Sequence, residues 1–184
     1  MLEFEFSSHG AGMIHAYRWE PEGQPRGVVQ IIHGIAEHVP RYAGFAAFLN
    51  AHGFLVTGED HMGHGKSHGT EPCHFSGGWC AAVDDSMELL RRTQQDYPGV
   101  PYFVLGHSMG SFLTRTLLFR YPDAGLRAAV ICGTGWQPAP VLAAGLALCG
   151  LEKLRLGETG RSKLLANLMF GAYNRKFPDA RTPN

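Results

Sequence analysis

The sequence predicts an α/β fold in which a mostly parallel, doubly wound sheet is followed by a helical insertion. Three observations lead there. Short apolar runs alternate with helical patterns from residue 27 to residue 132, as in strand–helix–strand crossovers. The runs are apolar almost without interruption, as expected of strands buried on both faces. After Gly133 the strands cease and only helical patterns remain.

Taken in order, Leu2 to Ser7 and Met13 to Glu20 read as two antiparallel strands joined by a turn through Gly10 and Gly12. Pro21, Gly23 and Pro25 break the chain, and Gly27 to Ile32 forms the first buried strand. From Arg41 to His52 the residues Tyr42, Phe45, Phe48 and Leu49 recur at helical spacing, and Gly53 stops the helix. Phe54 to Thr57 is the next strand, and Trp79 to Tyr97 a second helix ended by Pro98-Gly99. Pro101 to Leu105 is a short strand, Met109 to Tyr121 a helix ended by Pro122, and Leu126 to Cys132 a further strand. Pro138 to Lys176 carries helical segments separated at Gly150, Gly157 and Gly160. The expected division is a core over residues 1–135 and a helical cap over 136–184, lying across the carboxyl edge of the sheet where α/β folds bind ligands.

The 184 residues suffice for one domain burying about 70% of its unfolded surface. The formal net charge is +0, so the basic field that releases counterions from nucleic acid is missing. The opening residues, Met1 to Phe6, lack a basic segment followed by an apolar one, the mark of an export signal. Val141 to Cys149 is too short to cross a bilayer. A cytoplasmic location without a transmembrane segment is therefore expected. Cys73, Cys80, Cys132 and Cys149 are irregularly spaced and are expected to be buried thiols rather than disulfides.

Gly106-His107-Ser108-Met109-Gly110 is a Gly-x-Ser-x-Gly sequence that follows an apolar strand and opens a helix. A serine hydroxyl is a weak nucleophile and must be held clear of the backbone, within reach of a base. A sharp strand-to-helix turn achieves this but crowds the two elements, and glycines at 106 and 110 relieve the crowding. His33-Gly34-Ile35 directly follows the first buried strand. Acyl transfer needs two N–H donors aimed at the developing oxyanion, one from the residue after the nucleophile and one from this loop. Those residues are Met109 and Ile35, and only their backbones are required.

His33-Gly34-Ile35-Ala36-Glu37-His38 with Arg41-Tyr42, Asp60 to Ser67, and Gly106 to Gly110 occur in this order at fitting intervals. Together they resemble the monoacylglycerol lipases and lysophospholipases, members of the α/β-hydrolase superfamily. The resemblance spans nearly the whole chain and implies a sheet of α/β-hydrolase type. It also implies hydrolysis of a small acyl ester, such as a monoacylglycerol or lysophospholipid, through an acyl-enzyme on Ser108. No cofactor and no metal are implied, and the cap from Pro138 onward would shape an acyl pocket and touch lipid surfaces transiently. One departure is Met62, where the family usually carries arginine in its Asp-x-Arg-Gly-x-Gly turn; it bears on how the turn is anchored, not on the serine. A peptidase or thioesterase on the same fold stays open, because the elbow is common to all of them. Oligomeric state is not readable.

His61, His64, His68, Cys73 and His74 are too irregularly spaced for a tetrahedral zinc site, and surface or turn histidines are expected. In this fold the triad follows the order Ser, then Asp or Glu, then His. None of the ten histidines lies after His107, and His107 itself is expected to point away from the Ser108 hydroxyl. Downstream carboxylates at Asp123, Glu152, Glu158 and Asp179 follow no further strand, and Arg175 to Asn184 resembles the family's exit from the cap. The 184 residues are thus expected to be the N-terminal part of a longer enzyme, truncated before its last strands and inactive alone. A lipid-binding or structural role for the short form stays open. Without further strands, Ala128 to Ile131 would form an apolar sheet edge.

Overall fold

The structure, a computed structural model, describes residues 1–67, 73–157 and 160–176. His68, Glu158 and the run 177–184 with Asp179 lie outside the described residues. The chain divides into two units, Met1–Thr134 and Gly135–Asn184.

The first unit is built on a six-stranded sheet: β1 (Leu2–Ser7), β2 (Met13–Trp19), β3 (Gly27–Ile32), β4 (Phe54–Glu59), β5 (Tyr102–His107) and β6 (Leu126–Cys132). The spatial order is β1-β2-β4-β3-β5-β6. β1 and β2 form an antiparallel hairpin, and β2 also runs antiparallel to β4. β4, β3, β5 and β6 are mutually parallel. The doubly wound, mostly parallel α/β sheet that the sequence predicts is the architecture observed.

Alternation along β3 assigns its faces. Val28 and Ile32 pack into a cluster with Leu55, Val83, Leu90, Val104, Leu113 and Leu117, which joins the sheet to α2 (Gly78–Asp96) and α3 (Met109–Arg120). Ile31, one residue away, packs on the opposite face with Tyr17, Val39, Val56 and Ala46 of α1 (Ala43–Ala51). Each such fully buried aliphatic side chain contributes about 1.5–3 kcal/mol relative to exposure. A third cluster of Phe6, Ile14, Ala16, Met62 and Leu89 closes the hairpin end. β6 has β5 as its single strand partner among the described residues, and none of its residues is buried.

The boundaries differ from the sequence reading in instructive ways. β4 runs on to Glu59, buried against Ser86 and Gln30, and β5 to His107, which is bonded to Glu37. The first helix is preceded by a 3-10 turn over Val39–Tyr42 with a proline in its first turn. The cysteines do not follow expectation: all four are exposed thiols. Cys132 lies on the outer strand, and Cys80 is exposed in the first turn of α2.

The second unit contains α4 (Ala139–Leu156) and α5 (Lys163–Lys176). α4 passes through Gly145 and Gly150 without interruption, so Gly150 does not separate two helices as the sequence suggested. Gly157, at φ 81°, ends it. Ser162 caps α5 by accepting the Leu165 N–H at 3.1 Å, and its hydroxyl donates to Glu152, which also pairs with Arg155. No helix among the described residues is long and apolar enough to cross a membrane.

Candidate active site

The carboxyl ends of β3, β4 and β5 each lead into a tight turn, and together these turns make the site. After β5 comes the serine elbow. Ser108 sits between the strand and α3 at φ 53° and ψ −117°, a conformation that costs a non-glycine residue on the order of 1–3 kcal/mol. Its N–H donates to the Cys132 carbonyl at 2.9 Å, and its own carbonyl accepts the Ser111 N–H at 3.0 Å and the Ser111 hydroxyl at 2.6 Å. The flanking glycines are required sterically. A Cβ on Gly106 would strike Thr114 Oγ1 and the Gly110 carbonyl, and one on Gly110 would strike the Ile32 carbonyl and stand 2.6 Å from that of His33.

After β3, the loop 33–38 bends past the serine. A Cβ on Gly34 would lie 3.1 Å from Ser108 Cβ, so loop and elbow are in direct contact. The Gly34 N–H donates to the Glu37 carboxylate, and Ala36 takes the left-handed region at φ 57°. Ile35 follows in this loop, and Met109 is the first residue of α3, whose opening N–H groups have no intrahelical acceptor. Among the described residues, the N–H groups of Ile35 and Met109 make no hydrogen bond to protein.

After β4, Asp60 organises the turn to Ser67. Its carboxylate accepts the Val39 N–H at 2.8 Å, the Lys66 N–H at 2.8 Å and the Tyr17 hydroxyl at 3.0 Å. Gly65 leaves room for that carboxylate, which any Cβ there would strike. Asp60 and these donors hold the turn, two through backbone N–H groups and one through the Tyr17 hydroxyl, while Met62, 1% exposed, is part of the core beside Phe6 and Leu89.

Of the histidines expected at the surface or in turns, His61 and His64 are turn residues but buried, 2% and 5% exposed, as is His33 at 0%, while His74 is half-buried. His33 Nε2 accepts the His61 N–H at 3.0 Å, so its Nδ1 carries the proton and donates to the Gly34 carbonyl at 2.7 Å. His61 Nε2 donates in return to the His33 carbonyl at 3.1 Å. Burial pushes both imidazoles toward the neutral form, His61 down to about 3. Behind them, Glu59 accepts from Ser86 and from Gln30 Nε2 at 3.3 Å. Burial pushes its carboxyl up to about 8. Among the described residues no group of His, Cys, Asp or Glu side chains is arranged to hold a metal.

His107 Nδ1 lies 3.0 Å from Glu37 Oε1, and among the described residues no side chain is hydrogen-bonded to the Ser108 hydroxyl. The structure thus brings Ser108 against the loop that carries Ile35, with Met109 directly after it. Sequence reasoning left Glu37 and Glu59 without a role. Glu37 had a signal, a lone carboxylate inside a glycine-containing loop; Glu59 had none, being one more residue at a strand end.

The family described as serine aminopeptidase, S33, matches residues 23–168. The chain is 39% identical over 120 residues to a monoacylglycerol lipase of Mycolicibacterium smegmatis, covering 65% of this chain and 42% of that protein. Identity to a human monoglyceride lipase is 39% over 92 residues, covering 50% of this chain and 30% of the relative. The match therefore spans less than half the length of either curated relative. A thermostable carboxyl esterase from Bacillus coagulans, solved with glycerol, superposes with a TM-score of 0.79 at 28% identity over all of this chain and 60% of its own.

Proposed function

The chain belongs to the family described as serine aminopeptidase, S33, and on that premise we propose that it is the nucleophile-bearing part of a serine hydrolase acting on small acyl esters of monoacylglycerol or lysophospholipid type. The observation that carries the reading is the strained Ser108 turn in contact with the Gly34 loop. Ser108 Oγ attacks the ester carbonyl. The oxyanion that forms is held by the N–H groups of Ile35 and Met109, and the alcohol leaves to give an acyl-enzyme that water then cleaves. Two relatives named for monoglyceride substrates favour an ester over a peptide, as does the apolar run Val141 to Leu148. We propose residues 136–184 as a helical cap unit, with α4 carrying that apolar run.

Among the described residues no side chain is hydrogen-bonded to the Ser108 hydroxyl, and His107 is engaged with Glu37, so we assign the base that deprotonates Ser108, and the carboxylate that orients it, to residues other than those described. A serine hydrolase stripped of its base loses about 10⁶-fold in kcat, so the described residues alone should turn over negligibly. The family's description keeps an aminopeptidase in view, and a substrate panel separates the two. The test is fluorophosphonate labelling of the polypeptide as its gene makes it, with hydrolysis of monoacylglycerols and aminoacyl amides measured side by side. Labelling lost in Ser108→Ala, with ester turnover dominant, is expected. No labelling, or labelling that survives Ser108→Ala, overturns the reading.

A further inference from the structure

We infer that Glu37 is a positioning residue whose carboxylate locks the loop after β3 onto the turn carrying Ser108, and thereby sets where the Ile35 N–H stands relative to that of Met109. The inference rests on the serine hydrolase reading above and deepens it.

The observation is a convergence on one oxygen. Glu37 Oε1 accepts the Gly34 N–H from its own loop, the Tyr42 hydroxyl at 2.9 Å from the turn before α1, and His107 Nδ1 at 3.0 Å from the last residue of β5. Arg41 Nη1 stands 3.8 Å from the other oxygen. Only 10% of the side chain is exposed. Burial alone would raise the pKa of this carboxyl, but hydrogen bonds from His107, Gly34 and Tyr42 outweigh it and hold the group below its ordinary value. It is therefore an anion at neutral pH, and its bonds are of the stronger, charge-assisted kind.

Two of these partners matter for the chemistry. His107 is covalently joined to Ser108, and Gly34 to Ile35. Glu37 is thus a strut between the two peptide segments that would supply the oxyanion donors. The loop needs one, since glycine at 34 gives it little conformational preference of its own and Ala36 is held in a left-handed conformation that alanine disfavours. The strut also selects the donor. With the Gly34 N–H bonded to Glu37, the Ile35 N–H is left to face a ligand. Donors act on an oxyanion at about 2.7–3.1 Å, so a loop displaced by an ångström would lose its share of stabilisation while leaving the serine in place.

The test uses the polypeptide as its gene makes it and separates kcat from KM. Glu37→Ala should lower kcat about 100-fold, the loss seen on removing one oxyanion donor, with KM within about twofold. It should weaken a trifluoromethyl ketone inhibitor, which mimics the tetrahedral oxyanion, by the same factor. Glu37→Gln keeps an acceptor oxygen in place and should recover most of the rate. His107→Ala should cost about fivefold alone and nothing further on top of Glu37→Ala, because the two act as one unit. A folded Glu37→Ala with wild-type kcat, or one that loses substrate and ketone binding alike, overturns the inference. Should Glu37→Ala not fold, an undiminished kcat in His107→Ala overturns it equally. Wild-type turnover through Ser108 combined with an indifferent Glu37 sinks the strut and leaves the ester hydrolase reading standing. Absence of Ser108 labelling sinks both.

Discussion

The elbow at Ser108 and the loop at Gly34 face each other across the candidate site and are made in opposite ways. The elbow is shaped by what is missing. Gly106 and Gly110 remove two Cβ atoms that would collide with Thr114 Oγ1 and with the Ile32 and His33 carbonyls, and Ser108 takes up the strain. The loop is shaped by what is added. Glu37 pulls in the Gly34 N–H, the Tyr42 hydroxyl and the His107 ring, while His33 and His61 exchange hydrogen bonds beneath it. A turn made by omission is spelled within five consecutive residues; one made by side-chain struts draws on partners 28 and 70 positions away. The first kind tolerates no addition, and the second no removal.

Three substitutions sharpen or break that contrast. Gly110→Ala should have the largest effect, because its Cβ meets backbone that cannot swing aside; a loss of about 3 kcal/mol or more in urea unfolding is expected. If its stability stays within about 0.5 kcal/mol, the elbow is not held by omission. Ile35→Pro comes next. Removing the N–H should cut kcat about 10²–10³-fold, whereas Ile35→Ala, which keeps the N–H, should change it only about threefold. Equal losses from both would mean that the side chain rather than the backbone matters in the loop.

The smallest effect concerns pH and should touch the strutted side alone. Glu59 has its carboxyl raised from 4.5 to about 8, so between those values the folded protein holds a proton that the unfolded chain releases. Its contribution to stability therefore falls as pH rises, by up to about 1.4 kcal/mol per pH unit. His61, lowered from 6.5 to about 3, works the other way, adding stability as pH climbs through that range. Above about 6.5 the Glu59 slope remains. Thermal unfolding from pH 6.5 to 8 should decline in the wild type and flatten in Glu59→Gln. Parallel curves would show that Glu59 is not protonated in the folded state.

The same contrast explains what could be read from the sequence. The sheet and its order of elements were legible because apolar runs such as Gly27 to Ile32 betray burial on both faces, and β6 was placed to the residue. The elbow was legible because its constraint is local. The strand ends were not: Glu59 and His107 are polar and look like loop, yet they end β4 and β5 and bond to distant segments. The burial of His61 and His64 was hidden for the same reason. In reverse, the thiols of Cys80 and Cys132 look like core residues and are exposed, because exposure depends on which face of α2 or which edge of the sheet they occupy. α4 continues through Gly150 because two glycines weaken a helix of 18 residues without ending it.

The strand order also works as a timetable. β3 lies between β4 and β5, but β4 leaves the ribosome soon after it, whereas β5 begins only at Tyr102. During synthesis one edge of β3 is paired early, and the other waits through α2 with its amides bare, a template for wrong partners. The segment that ends the wait is Tyr102–His107, and the next residue made is Ser108. The nucleophile therefore enters the chain just as β3 gains its second partner, and the elbow is completed only when β6 follows and Cys132 accepts the Ser108 N–H.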